Sequence, residues 1–233
     1  MKPGKVIKLI PLAILMTLAA CAGGGDFVSS KVKGDAAFEK SDWAGAIEHY
    51  RIYLETEMGG ANVWEAQFLM ARSYYESEDY PSAALEFEIF RRNYPRSDSL
   101  EAAAYYEALC WFHQSPRFDR DSTPTLQAIR KLDDYLLDFP DGSHEAEAIL
   151  KLGVLTDKLA RKSLSIAQFY YRVGRLEAAA LYYEKVLREQ AQSQYVGEVL
   201  GDLEMLRREQ GRDSEADELA RSRQYWSPPA GSP

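Results

Sequence analysis

The 233-residue sequence predicts an all-α fold, an α–α superhelix (solenoid) of about five repeats and ten helices. Three observations predict this fold. From residue 27 onward no strand-like alternation of apolar and polar residues occurs. Proline and glycine fall at regular breaks. A short turn followed by an alanine, and then by a larger side chain or a second alanine four positions later, recurs five times. The four-residue step places both side chains on one helical face.

The recurring pairs mark the second helix of each predicted repeat. They are Ala46 and Tyr50, Ala83 and Phe87, Ala128 and Leu132, Ala178 and Tyr182, and Ala216 and Ala220. The small residue permits a close helix approach, and the large one fills the gap beside it. This pattern resembles the tetratricopeptide repeat, a helix–turn–helix unit of about 34 residues. Because one such unit does not bury its own apolar face, neighbouring repeats must stack.

Proline residues between these pairs set the predicted helix boundaries. Tyr94-Pro95 and Phe139-Pro140 close the second and third repeats, since proline removes an amide donor and clashes with the preceding turn. The longest helix is predicted where no proline interrupts the apolar pattern, at 143–172. The expected helices are 28–41, 43–57, 62–77, 80–93, 98–113, 123–138, 143–172, 175–190, 194–209 and 212–224.

The chain therefore divides into a leader, two groups of repeats and a tail. Repeats one to three are assigned to residues 28–139, and repeats four and five to residues 140–224. Residues 225–233, rich in proline, glycine and serine, are expected to form a disordered tail.

The first 20 residues read as a cleaved secretory signal. Lys2, Lys5 and Lys8 give a positive start, and an apolar run too short to span a bilayer stably ends before Cys21. The segment from Leu18 to Cys21 resembles a bacterial lipobox, which implies that the Cys21 sulfur carries a diacylglycerol and that an acyl chain caps its amine. A plain cleaved signal with an incidental cysteine is the alternative.

The residues after Cys21 predict a flexible tether and indicate to which membrane the protein is exported. Residues 21–27 are expected to be the lipidated cysteine and a flexible, glycine-rich tether. By resemblance to lipoproteins of Gram-negative bacteria, alanine rather than aspartate at position 22 predicts export to the outer membrane. We expect the body of the protein on the periplasmic face of that membrane, held by its acyl chains.

Composition argues against nucleic-acid binding and against a metal or catalytic site. The net charge is −8, and losing a signal with three lysines and no acid makes the chain more acidic, a poor phosphate binder. The three histidines lie on different predicted helices at no metal-ligand spacing. No serine-hydrolase, zinc-protease or phosphate-loop motif occurs. We therefore predict a non-enzymatic protein with no metal and no cofactor beyond the lipid on Cys21.

Four segments carry a more specific resemblance than the repeats do. They are the insertion at 115–124, the Asp-Phe-Pro-Asp-Gly-Ser run at 138–143, the Leu-Thr-Asp-Lys-Leu-Ala-Arg-Lys run at 155–162, and the Ile-Ala-Gln-Phe-Tyr-Tyr-Arg-Val-Gly run at 166–174. Together with the lipobox, this series resembles the BamD family, the tetratricopeptide lipoproteins of the outer-membrane barrel-assembly machinery.

The resemblance implies two protein partners. In the family, the C-terminal repeats dock on the periplasmic domains of a BamA-like barrel insertase, and here we can assign only a region, roughly 157–222. The N-terminal repeats are implicated in receiving unfolded barrel proteins through an apolar, aromatic C-terminal strand signal that ends in a carboxylate.

Alignment of the first helices to the repeat gives candidate residues for a peptide groove. The positions are Phe38, Phe68, Arg72, Tyr75, Tyr105, Leu109 and Phe112. Aromatic rings suit alternate side chains of such a peptide, and arginine suits its carboxylate. The alternative for Phe38 and Phe112 is that they are core residues one step out of register.

Asp119, Arg120 and Asp121 leave two interpretations open. They either order the bend between the two groups of repeats or form a solvated surface loop. At the level of function, the alternative to barrel assembly is a tetratricopeptide envelope lipoprotein that coordinates cell-wall or division machinery. That alternative shares the anchor and the fold but gives no reason for the insertion at 115–124.

Overall fold

The computed structural model describes residues 25–56, 60 and 62–228. Within these ranges it contains ten α-helices and no β-strand, which confirms the predicted all-α architecture. The helices are α1 (Gly25–Glu39), α2 (Trp43–Thr56), α3 (Val63–Glu76), α4 (Tyr80–Asn93), α5 (Leu100–Gln114), α6 (Thr123–Asp138), α7 (Glu145–Arg172), α8 (Leu176–Glu189), α9 (Val196–Glu209) and α10 (Asp213–Tyr225).

The helices pack in consecutive pairs, as a superhelix of helix–turn–helix units requires. Each helix lies against the next one in the chain, and the first helices of neighbouring units also meet, α1 with α3, α3 with α5 and α5 with α7. The contact surfaces between α6 and α7 and between α8 and α9 are smaller than those between the other neighbouring helices. The long helix α7 therefore contacts helices of two units. It packs against α5 and α6 of the third unit and against α8 of its own unit.

The alanine pairs form the centres of the first three units. Ala46 with Tyr50, Ala83 with Phe87 and Ala128 with Leu132 are fully buried. In the fourth unit the buried pair is Ala179 and Tyr183, one position after the predicted Ala178 and Tyr182. Three consecutive alanines, at 178–180, precede two consecutive tyrosines in α8, so the spacing alone did not fix the register there.

The turns follow from local chemistry. Asp79 caps α4 by accepting a hydrogen bond from the Ser82 backbone N–H, and Pro81 occupies the first turn, where its missing N–H is not needed. Gly174 ends the turn after α7 with a φ of +74°, a backbone conformation that glycine adopts without strain.

Both ends differ from the sequence-based boundaries. Helix α1 begins at Gly25, within the predicted tether, because glycine disfavours a helix by only about 1 kcal/mol per residue and does not stop one. At the other end, Tyr225 closes α10 and the Trp226 ring packs on Gly197 of α9, so the predicted tail begins later than residue 225. The predicted signal at 1–20 and Cys21 lie outside the described residues. Among the helices that are described, none is long and apolar enough to cross a bilayer.

Candidate peptide-binding surface

Side chains of α3, α4 and α5 meet in one aromatic cluster, formed by Tyr75, Tyr80, Tyr106 and His113. The Tyr75 ring lies edge-on to Tyr106 at 5.1 Å and to Tyr80 at 5.6 Å between ring centroids, and His113 stacks on Tyr80 at 4.6 Å. The Arg72 guanidinium lies 4.1 Å from the centroid of the Tyr106 ring. The aromatic cluster thus joins two candidate groove residues, Arg72 and Tyr75, to partners on the next repeat.

The charges around the aromatic cluster are partly satisfied within the protein. Arg72 Nη2 donates to Glu76 Oε1 at 2.7 Å, while Arg72 Nε is buried without a hydrogen-bond partner. Burial raises the pKa of Tyr75 to about 12, so its hydroxyl stays protonated. Burial, followed by the nearby Lys151, lowers the pKa of His113, which keeps its ring neutral at pH 7. The neutral rings of the aromatic cluster therefore lie beside the Arg72 cation on α3 and near Lys151 on α7.

Three further groove candidates have partners of their own. Phe38 packs edge-on against Trp43 at 5.3 Å. Phe68 turns toward α4, 5.9 Å from Phe87, within the core of its own unit. Phe112 is half-buried, with the Lys151 ammonium 4.7 Å from its ring centroid.

The remaining two candidates lie in the core. Tyr105 is 2% exposed and stacks on His144 at 4.1 Å, and Leu109 is 6% exposed. Of the α5 residues in the aromatic cluster, Tyr106 is half-buried and His113 is exposed. Positions 105 and 109 therefore lie in the core, as does Cys110. The adjacent tyrosines at 105 and 106 both satisfy the repeat pattern, so the pattern does not choose between them.

The loop at 115–122 is held by its own side chains and by α7. Arg117 forms an ion pair with Asp119, which lowers the pKa of that carboxyl. Asp121 Oδ1 accepts from the Thr123 backbone N–H at 3.1 Å and from its hydroxyl at 3.0 Å, next to the start of α6, and these bonds lower its pKa. Arg120 contributes its backbone carbonyl oxygen, which accepts from Lys162.

Three cationic residues of one α7 face hold this loop. Lys158 Nζ donates to the Ser115 hydroxyl at 2.7 Å, and Lys162 Nζ donates to the Arg120 carbonyl oxygen at 2.6 Å. The Arg161 guanidinium lies 4.4 Å from the centroid of the Phe118 ring. We call these contacts the loop clasp. Asp119 and Asp121 thus shape the loop locally, while Lys158 and Lys162 of the 155–162 run fasten it to α7.

No arrangement typical of a metal or thiol site occurs among the described residues. No group of three histidine, cysteine or acidic side chains stands close enough to hold an ion. Cys110 is fully buried, and burial raises the pKa of its thiol to about 12, so it remains protonated.

Comparison with known protein families identifies the family to which this chain belongs. A family model described as "YfiO: Outer membrane lipoprotein" matches residues 32–221. The chain belongs to the YfiO family. The matched range includes both the aromatic cluster and the loop clasp, and the membership confirms the resemblance seen in the sequence.

Curated relatives of this YfiO-family chain carry one name. A protein of Neisseria meningitidis serogroup A is 24% identical over 91% of this chain and 88% of its own length. One from Neisseria gonorrhoeae is 25% identical over 84% of this chain and 82% of its length. A third, from Caulobacter vibrioides, is 26% identical over 72% of this chain and 55% of its length. Each is named outer membrane protein assembly factor BamD.

Proposed function

We propose that this chain is a non-enzymatic lipoprotein scaffold of the outer-membrane β-barrel assembly machinery. The observation that carries the proposal is the family match over residues 32–221, together with relatives named outer membrane protein assembly factors along most of the chain. The ten-helix superhelix supports it, because stacked repeats offer extended surfaces for other polypeptides.

The N-terminal repeats recognise the C-terminal strand signal of unfolded barrel proteins. In this proposal Arg72 attracts the terminal carboxylate, and Tyr75 with its neighbours in the aromatic cluster receives aromatic side chains. Arg72 already pairs with Glu76 at 2.7 Å, so a bound peptide carboxylate replaces Glu76 as the partner of Arg72 and adds little electrostatic energy. The gain on binding then comes mainly from ring contacts.

The C-terminal repeats dock on the periplasmic domains of the barrel insertase. Support comes from four large apolar side chains between residues 157 and 222 that keep more than half of their surface exposed, Phe169, Val173, Leu181 and Met205. Isolated apolar side chains are common on surfaces, but several within one region are typical of an interaction face.

A diacylglycerol and an acyl chain on Cys21 hold the protein at the periplasmic face of the outer membrane. Two or three acyl chains are enough for stable attachment, at about 0.8 kcal/mol per buried CH₂. An acidic chain gains nothing from anionic lipid headgroups, so attachment depends on the lipid.

Affinity purification of the tagged, detergent-extracted protein from its own host tests the proposal. We expect the barrel insertase as the principal partner, recovered in comparable amount. A tagged lipoprotein of unrelated fold, extracted in the same way, is the control. Recovery of peptidoglycan or division proteins without the insertase would overturn the proposal in favour of an envelope scaffold for those systems.

A further inference from the structure

A cleft of about 930 Å³ runs between α6, the first half of α7 and the loop before α9. Its floor is apolar and includes Phe118, Ile129 and Leu152, all half-buried. The α7 wall adds Ile149, Leu150 and Val154, which are 53%, 63% and 52% exposed. We call this surface the α6–α7 cleft. None of its residues belongs to the aromatic cluster.

The α6–α7 cleft exists because α7 is longer than its partners. Its second half packs with α8 through Ala160, Leu164 and Ala167, whereas Ala148 and Leu155 of its first half pack with α5 and α6. The contact between α6 and α7 is less extensive than that between most neighbouring helices. Between Ile149 and Val154 stands Gly153, where, apart from its chain neighbours and the adjoining helix backbone, no atom lies within 4 Å of the position a Cβ would take. The result is three neighbouring apolar side chains around an open stretch of helix, an arrangement typical of a surface that another protein covers.

Two charged groups in the α6–α7 cleft form no ion pair among the described residues, Asp133 on α6 and Arg161 on α7, whose guanidinium instead lies over the Phe118 ring in the loop clasp. The other charged residues that line it are engaged. Arg117 pairs with Asp119, Lys158 donates to Ser115, and Asp157 accepts from Ser193 and Gln194.

Asp133 and Arg161 lie toward opposite ends of the α6–α7 cleft. Helices α6 and α7 are antiparallel, since Lys162 near the end of the cleft donates to the Ser122 hydroxyl just before α6. Eleven residues of α6 separate Ser122 from Asp133, which is about 16 Å along a helix. A ligand that satisfies both groups must therefore carry opposite charges about three helical turns apart.

We propose that the α6–α7 cleft binds an amphipathic α-helix of a partner protein, about three turns long and antiparallel to α7. Its apolar face covers Ile149, Leu150 and Val154. An acidic residue near its N-terminus pairs with Arg161, and a basic residue near its C-terminus pairs with Asp133. This charge order also suits the dipole of the incoming helix.

A helix fits this cleft better than an extended strand does. The walls are helices, whose backbone N–H and C=O groups are hydrogen-bonded within each helix. No free backbone groups therefore remain to pair with a β-strand. The proposal goes beyond the proposed function and depends on neither the peptide surface nor insertase docking.

Two designed peptides test the proposal with the full-length protein purified in detergent. The first is a stapled, fluorescently labelled helix of about 14 residues, long enough for three turns, with a leucine–alanine face, glutamate in the first turn and lysine in the last. The second has the same composition with the two charges exchanged. Fluorescence anisotropy gives the Kd of each.

We expect the first peptide to bind at least tenfold more tightly than the second. Leu150→Glu and, separately, Val154→Asp should each weaken it at least tenfold while circular dichroism stays unchanged. Leu137→Glu is the matched control, because Leu137 lies on α6, is 81% exposed and does not line the cleft. The double variant Asp133→Lys with Arg161→Glu should reverse the preference between the peptides.

Three results would overturn the proposal. One is equal affinity for both peptides, or no binding of either. Another is an equal loss of binding in Leu137→Glu. The third is a concentration-dependent dimer in sedimentation that Leu150→Glu abolishes, which would make a second copy of this chain the occupant. Because insertase recovery is measured separately, these results leave the proposed function standing.

Discussion

Lys162 on the long helix donates a hydrogen bond of 2.6 Å to the backbone carbonyl oxygen of Arg120, which lies in the loop between α5 and α6. One turn earlier on the same face, Lys158 donates to the Ser115 hydroxyl at 2.7 Å. The two ends of the 115–122 loop are thus fastened to one helix. The insertion that distinguishes this chain from a plain repeat array is an ordered part of the joint between the third and fourth units.

Replacing both lysines by methionine should loosen this joint. Hydrogen bonds that involve a charged donor contribute about 1.5–3 kcal/mol each, less where water competes, so we expect a loss of about 2 kcal/mol for the pair. For a chain of this size the melting temperature should fall by roughly 4–8 °C. Amide hydrogen exchange should accelerate at residues 115–122.

Lys185→Met is the control for that variant, because 43% of the Lys185 side chain is exposed and its ion pair with Glu189 is long, at 3.8 Å. We expect little change in its melting temperature. If residues 115–122 exchange at the same rate in the double variant and the unmodified protein, the loop clasp does not order the loop.

A buried ion triad joins α4, α5 and α6. Glu107 is 1% exposed and accepts from Arg91 at 2.7 Å and from Lys131 at 2.5 Å. Glu107→Gln should lower the free energy of unfolding by about 3 kcal/mol, because it leaves two cations facing an uncharged buried group. Urea denaturation measures this, with Glu88→Gln on the exposed face of α4 as the control. A loss no larger than that of the control would show that water replaces the carboxylate.

Glu101 gives the protein a pH dependence on the acid side. Its carboxylate accepts from the Ser143 hydroxyl and backbone N–H and from the Tyr135 hydroxyl, and the bonds from Ser143 contribute most to lowering its pKa below 4.5. A lowered pKa in the folded state means stability that is present above pH 4.5 and lost as pH falls through the folded value. Glu101→Gln should remove this pH-dependent contribution. The free energy of unfolding of the variant should therefore fall less steeply below pH 4.5 than that of the unmodified protein. Parallel curves for both proteins would contradict the assignment.

The proposed lipid anchor predicts a simple fractionation result. Cys21→Ser should move the protein from the membrane fraction to the soluble periplasmic fraction, because no sulfur remains for the diacylglycerol. Urea washing before sedimentation separates lipid attachment from binding to partners. Protein that still sediments with washed membranes would contradict the anchor.

The repeat pattern predicted the fold because its signal is periodic and redundant. Ala83 with Phe87 and Ala128 with Leu132 recur at the same helical step, and all four residues are fully buried. Register within a helix was less secure where similar residues stand side by side. In α5 the pattern gave Tyr105, which is buried, while the half-buried Tyr106 lies in the aromatic cluster. In α8 it gave Ala178 although Ala179 is the fully buried alanine.

The aromatic cluster and the loop clasp depend on contacts that one sequence does not encode locally. Tyr80 reaches His113 from the preceding unit, and Lys162 reaches Arg120 from the following one. Separations of this length are set by the stacking of repeats, so they follow from the fold and not from a motif. Arg72 and Tyr75 could be proposed from the sequence because the repeat pattern places both on one face of α3.

The most direct test of the central claim is the affinity for a barrel-protein C-terminal peptide. Arg72→Glu combined with Tyr75→Ala should weaken binding at least tenfold while helicity stays, because it removes the cation and the central ring of the aromatic cluster. Arg92→Glu, an exposed charge reversal on α4, should leave the affinity unchanged. Equal affinities for the double variant and the unmodified protein would show that this surface does not receive the peptide.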